Sequence, residues 1–185
     1  MKALPKTKMT VDEFVPWAMA QPSGRFELVQ GEIVAMSPER AAHNRGKIAV
    51  LDALRAAVKK SGLPCEVFTD GTSVQIDKHG LREPDAAVQC GLRVSSDTVI
   101  MDSPILVVEV VSPSPARADS GAKLAEYFCV PSIFHYLIID PERRVIIHHA
   151  RSNSGEITTR ICQAGVIRFD PPGFAIDAED VLSNL

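Results

Sequence analysis

The chain has 185 residues and a mass of 20.1 kDa, with 45% hydrophobic and 23% charged residues. That composition fits one folded domain over residues 1–185 and excludes global disorder, which needs low hydrophobicity and a high net charge. Twenty basic against 23 acidic residues leave a net charge of -3, so no overall field draws the chain to nucleic acid or to anionic lipid. Binding of that kind would need a local basic patch or metal ions in an acidic site.

No apolar run approaches the roughly 20 residues needed to cross a bilayer, so a membrane protein is not expected. Residues 1–9 carry three lysines but no apolar stretch of a secretory signal, and the expected location is cytoplasmic. Cys65, Cys90, Cys129 and Cys162 lie 25 or more residues apart, without zinc-ligand spacing. They read as free thiols in a reducing compartment.

In chain order, Thr10 to Glu13 has the spacing of a capping box and opens a short helix to about Ala20, with Pro16 inside it. Residues 25–29 and 32–36 flank Gln30-Gly31 and read as a hairpin with a two-residue turn. That register puts Glu27, Val29, Glu32 and Val34 on one face, two carboxylates among valines. Ile48, Leu51, Leu54, Ala57 and Val58 form a helical stripe within residues 40–60, ended by Gly62 and Pro64. Strands or strand pairs follow at 67–76, interrupted by Asp70-Gly71, and at 85–88, 105–111, 134–140, 143–149 and 157–162. Residues 114–130 carry a second helical stripe through Leu124, Tyr127 and Phe128, with Lys123 beside it, and Asp177 opens a short last helix. The strand–helix–strand stretch from 105 to 139 allows a parallel pair, so the expected class is a mixed α/β fold.

The chemistry concentrates on carboxylates. Glu109 interrupts the apolar run Ile105 to Val111, whose valines populate both faces of the strand, and an ionised carboxylate buried there needs a partner. Asp85, after Pro84 at the start of another strand, offers a second hard oxygen ligand, and such a pair can hold Mg²⁺ against a phosphate. His148 and His149 are adjacent in a strand and face opposite ways, so they do not chelate one ion together. Arg143, Arg144, Arg151 and Arg160 could track a phosphate backbone or be ordinary solvated charges. The segment from His79 to Glu83 reads as a loop where specificity could reside.

Six blocks, in order, resemble the Uma-type family within the PD-(D/E)XK nuclease superfamily. They are Phe26-Glu27-Leu28-Val29-Gln30-Gly31-Glu32-Ile33; Met36-Ser37-Pro38 with His43; Glu83-Pro84-Asp85; Val108-Glu109-Val110-Val111-Ser112-Pro113-Ser114; Asp119, Lys123 and Tyr127; and His135-Tyr136-Leu137-Ile138-Ile139-Asp140-Pro141. The resemblance implies a restriction-endonuclease-like core, a central mixed sheet flanked by helices. It implies Asp85 and Glu109 as catalytic ligands of Mg²⁺ or Mn²⁺, and a nuclease that hydrolyses phosphodiester bonds in nucleic acid, DNA by preference. One domain of this size without an obvious recognition element cuts one strand per site, so a homodimer with two-fold symmetry is expected. The residue two after Glu109 is Val111 and not lysine, so Lys123 on the following helix takes the lysine's place, or else it pairs with Asp119 as a solvated helix lysine. Glu32, favoured over Glu27, could add a third carboxylate to the metal, and both could equally be the wet face of the hairpin. His43 and Tyr127 could line the site, or lie on the surface and in the core respectively. The rival is a catalytically silent nucleic-acid-binding or protein-interaction module that keeps the fold.

Overall fold

The computed structural model describes residues 5, 7–111 and 119–185, and of residues 119 and 120 only the backbone. The Ser112-Pro113-Ser114 end of the fourth block, the start of the second helical pattern and the Asp119 side chain lie outside the described residues.

Helix α1 (Val11–Met19) starts where the capping box predicts, with the Glu13 carboxylate accepting from the Thr10 N–H at 2.8 Å. Strands β1 (Phe26–Val29) and β2 (Glu32–Ala35) pair in the expected register, Glu27 opposite Val34 and Val29 opposite Glu32. Gln30 and Gly31 both have positive φ, 50° and 83°, as the two-residue turn of a twisted hairpin demands. A side chain at Gly31 would in addition meet Lys8 Cβ at 3.1 Å. Helix α2 (Ala41–Ser61) ends on Gly62, which is left-handed at φ 68°.

Two larger sheets form, and the chain passes between them at Asp70-Gly71. Strand β3 (Cys65–Thr69) belongs to a six-stranded sheet, while β4 (Val74–Asp77) joins a four-stranded sheet of order β2-β1-β5-β4. Residues 67–76 are therefore not a strand pair of one sheet. The segment 79–83 is not a simple loop either. It holds β5 (Gly80–Arg82), whose Leu81 lies opposite Leu28 of β1, and a three-residue strand is too short to leave a period in the sequence.

The six-stranded sheet runs β10-β9-β8-β7-β6-β3, with β6 (Ala86–Cys90), β7 (Pro104–Val110), β8 (His135–Asp140), β9 (Val145–Arg151) and β10 (Ile157–Cys162). Its one parallel pair is β7 with β8, joined through α3 (Asp119–Cys129), so the sheet is mixed as expected. Helix α2 covers one face, where Val50, Leu54 and Val58 pack with Val88, Leu106, Val108, Leu137 and Ile139. The hairpin of β11 (Val166–Phe169) and β12 (Phe174–Asp177), with α4 (Ala178–Leu182), completes that layer. Helix α3 covers the other face through Tyr127, fully buried with Ala87, Val107, Tyr136 and Ile138. Each such buried large side chain contributes about 1.5–3 kcal/mol of transfer free energy. The result is a mixed α/β fold whose central sheet is flanked by helices. Among the described residues, no helix is long and apolar enough to cross a membrane.

Two readings need correction. Cys65 and Cys90 are not free thiols: they face each other across β3 and β6 and form a disulfide, leaving Cys129 and Cys162 free. Their separation of 25 residues carries no local signal, because only strand register brings them together. Cysteine usage therefore does not assign a reducing compartment. Three of the four arginines hold the fold instead of offering a phosphate track. Arg143 pairs with Asp140 at 2.9 Å, Arg144 donates to the Leu182 carbonyl, and Arg151 donates to the Phe128 and Val130 carbonyls. His148 and His149 do face opposite ways, His148 toward His135 and Phe169, His149 toward Tyr136 and Thr159.

Candidate active site

Asp85 is placed by the pairing of β6 with β7. Its N–H donates to the Val108 carbonyl at 3.0 Å and its Oδ2 accepts from the Val110 N–H at 2.7 Å, which clamps the carboxylate beside Glu109. Its other oxygen, Oδ1, meets His43 Nε2 at 3.1 Å. Burial works against a charged imidazole at His43, but the hydrogen bond and the negative charge of Asp85 outweigh it and raise the pKa.

Helix α2 supplies a row four residues apart, Glu39 just ahead of its first turn, then His43 and Lys47. Lys47 is buried, with Nζ 2.8 and 2.9 Å from the two Glu39 oxygens, 2.8 Å from Asp70 Oδ2 and 3.7 Å from Asp85 Oδ1. Desolvation disfavours this ammonium, yet the hydrogen bonds to Asp70 and Glu39 and the charge of Asp85 hold its pKa above the ordinary lysine value. Asp70 responds in the opposite sense: burial would raise it, and the Lys47 hydrogen bond takes it below the usual carboxylate value. Arg25 closes this cluster from β1's leading end, pairing with Glu39, Asp70 and Glu83.

A second cluster centres on Glu109. Lys123 Nζ lies 2.8 Å from Glu109 Oε2, and the Tyr127 hydroxyl donates to Oε1 at 2.7 Å, so one turn of α3 contacts both oxygens. Burial raises the Glu109 pKa, Lys123 opposes it, the charge of Asp85 adds to it, and the result is about 7. The Glu109 side chain keeps 16% exposure. Tyr127 is pushed well above the ordinary phenol value, by burial first and by Glu109 next, so it stays a hydrogen-bond donor. Lys123 is held charged by Glu109 and Glu27 against the cost of burial. It is not a solvated helix lysine.

Of the two hairpin carboxylates the structure brings in Glu27 and not Glu32, which reverses the expected preference. Glu27 is buried, receives Arg82 Nη1 at 2.9 Å and caps the Glu83 N–H at 3.0 Å, while Arg82 Nε also reaches Glu126 of α3 at 2.7 Å. Glu32 shares the face of Glu27 but sits at the turn end of the hairpin, exposed, with no contact to either cluster among the described residues. Sequence reading also missed Glu39, Lys47, Asp70, Arg25 and Arg82. The row Glu39, His43, Lys47 was visible as a spacing; the others meet only through the passage between sheets.

The donor set suits a hard divalent cation. One ligand atom each from Glu39, His43 and Asp85 lies within 4.8 Å of the others; the two carboxylates are hard oxygen donors of the kind Mg²⁺ or Mn²⁺ takes, and the imidazole is a softer one. Glu109, expected as the second ligand, is adjacent, with its oxygens engaged by Lys123 and Tyr127.

The model of the Uma2 family, described as "Putative restriction endonuclease", matches residues 11–179. An uncharacterized protein of Synechocystis is 28% identical over 153 residues, covering 82% of this chain and 79% of its own. A crystal structure described as a "putative nuclease belonging to DUF820" from Anabaena variabilis superposes with a TM-score of 0.70 at 16% identity, covering 95% of this chain and 98% of that one, which is a likeness of fold. With the family model matched over residues 11–179, nearly its whole length, the chain belongs to the Uma2 family.

Proposed function

We propose that this protein is a divalent-metal-dependent nuclease that hydrolyses phosphodiester bonds, with DNA as its substrate. The observation that carries the reading is the 2.8 Å contact of Lys123 with Glu109 beside the Asp85 clamp. It supplies from α3 the cation that Val111 does not provide on the strand. Asp85, Glu39 and His43 would hold Mg²⁺ or Mn²⁺, with Glu109 at its edge, and the ion would polarise the phosphate and lower the pKa of nearby water. Lys123 would neutralise charge developing on the phosphate. Tyr127 orients Glu109 and keeps its own proton. Glu27, through Arg82 and Glu126, anchors α3 so that Lys123 stays in reach. Cutting both strands of a duplex would call for two copies, hence a two-fold homodimer.

The test is cleavage of supercoiled plasmid DNA with Mn²⁺ or Mg²⁺. The parent protein is expected to nick or linearise it, while Asp85→Asn and Lys123→Met are expected to lose at least 100-fold, about the effect of removing a positioned charge from a reacting group. Variants that cut as well as the parent would sink the assignment of roles.

One observation favours the second reading, a silent binding module: the acidic groups around Asp85 are already matched by Lys47, Arg25 and His43. A metal-binding site should give a rise in melting temperature with millimolar Mn²⁺ that Asp85→Asn abolishes. A silent module should show no rise.

A further inference from the structure

Strand β10 forms one edge of the six-stranded sheet and is built to pair with a copy of itself. The Arg151 N–H donates inward to the Phe134 carbonyl, so Ala150, His148 and Ile146 turn their backbone groups toward β10. Their partners are Thr158, Arg160 and Cys162. By alternation, Ile157, Thr159 and Ile161 direct their N–H and C=O groups outward, where no strand meets them among the described residues. Their side chains share one face, and the two isoleucines on it are open to solvent, Ile157 at 46% and Ile161 at 71% exposure. The strand carries no proline, lysine or bulge to block pairing. The opposite edge differs, because β3 is half-buried over most of its length and packs beside α2.

We infer that β10 is the interface of a two-fold homodimer in which two copies pair antiparallel about Thr159, joining their sheets into one of twelve strands. The segment Ile157-Thr158-Thr159-Arg160-Ile161 reads almost alike in both directions, and that favours a second copy over a different protein. Centred on Thr159, each Ile157 stands opposite Ile161 of the second copy, and the outward backbone groups of 157, 159 and 161 meet their counterparts as hydrogen-bonded pairs. On the other face Arg160 stands opposite Thr158 of the second copy, with Glu156 and Arg160 of that copy as its two diagonal neighbours, so that face carries one diagonal of each sign and the pairing rests on the backbone groups and the isoleucine face. The interface deepens the homodimer of the nuclease reading but does not depend on the chemistry of the carboxylate clusters.

Sedimentation of the full chain at high micromolar concentration tests this. The parent is expected as a dimer and Thr159→Pro as a folded monomer, since the lost N–H faces outward and the ladder to β9 is kept. A second variant fixes the register: the double variant Thr158→Cys/Arg160→Cys, whose cysteines stand opposite one another across the seam as closely spaced non-hydrogen-bonded pairs, should cross-link to a covalent dimer on mild oxidation, whereas Thr158→Cys alone, Arg160→Cys alone and the parent, with its own Cys129 and Cys162, should not. A monomeric parent, a Thr159→Pro dimer, or a Thr158→Cys/Arg160→Cys double variant that does not cross-link would each overturn the interface. A monomeric parent that still nicks DNA would leave the nuclease reading standing alone.

Discussion

Lys47 Nζ lies 3.7 Å from Asp85 Oδ1, and its three shorter contacts go to Glu39 and Asp70. A buried ammonium thus occupies the charge-balancing position next to the best divalent-cation ligands among the described residues. Two consequences oppose each other: the lysine stabilises the metal-free fold, and it competes with a metal for the same carboxylates.

Replacing Lys47 with Met should separate the two. Removing one partner of a buried ion pair leaves uncompensated carboxylates and is expected to cost the metal-free protein about 3 kcal/mol, toward the low end because Glu39 and Asp70 keep some exposure. Mn²⁺ should then recover more stability in the variant than in the parent. Denaturant unfolding with EDTA and with Mn²⁺ reads both effects, and an equal metal response in the two proteins would argue against competition.

Glu109 predicts a pH dependence with a definite sign. Its folded-state pKa, raised to about 7 by burial against the pull of Lys123, lies above its ordinary value of 4.5. The folded state therefore holds this proton where the unfolded chain has lost it, and the contribution to stability, full below about 4.5, is lost as pH rises through about 7. Glu109→Gln cannot titrate. In EDTA its stability relative to the parent should shift in the variant's favour from pH 5 to pH 8. His43, also raised, has the same sign in both proteins and cancels in the difference. A gap that stays constant across that range would mean that Glu109 titrates normally.

Arg82 bridges Glu27 of the hairpin and Glu126 of α3 while only 3% exposed. Arg82→Leu should destabilise the protein by about 3 kcal/mol, the cost of leaving the buried Glu27 without its cation, at the low end because Glu126 keeps some exposure. Because the same bridge anchors the helix bearing Lys123, Glu27→Gln, which keeps a hydrogen-bonding group, should destabilise less and reduce cleavage less. Equal losses in the two variants would mean that the bridge does not position α3.

The Cys65–Cys90 bridge predicts a thiol count. Denatured, unreduced protein should react with two equivalents of a thiol reagent, from Cys129 and Cys162, and reduced protein with four. Replacing both bridged cysteines with alanine should lower stability by about 2–4 kcal/mol, as expected for releasing a loop of this size. Four reactive thiols before reduction would show that the bridge does not form in solution.

Features set by neighbouring residues were legible in the chain itself. The Thr10 and Glu13 cap, the Gln30-Gly31 turn, the stripe of α2 ending at Gly62 and the parallel β7–β8 pair follow from local pattern and from the length of the connecting segment. So did the special status of Glu109, because a carboxylate within a two-sided apolar strand must be compensated wherever the chain goes. Tertiary structure decided the rest: that Glu27 and not Glu32 turns inward, that Lys47 and Asp70 meet, that Lys123 reaches Glu109, and that Cys65 faces Cys90. Each of these joins elements through register or crossover, over separations of 14 to 55 residues. Hydrophobic period shows which face of an element is buried, but it does not show which element lies against that face, and the partners of buried charges are chosen there.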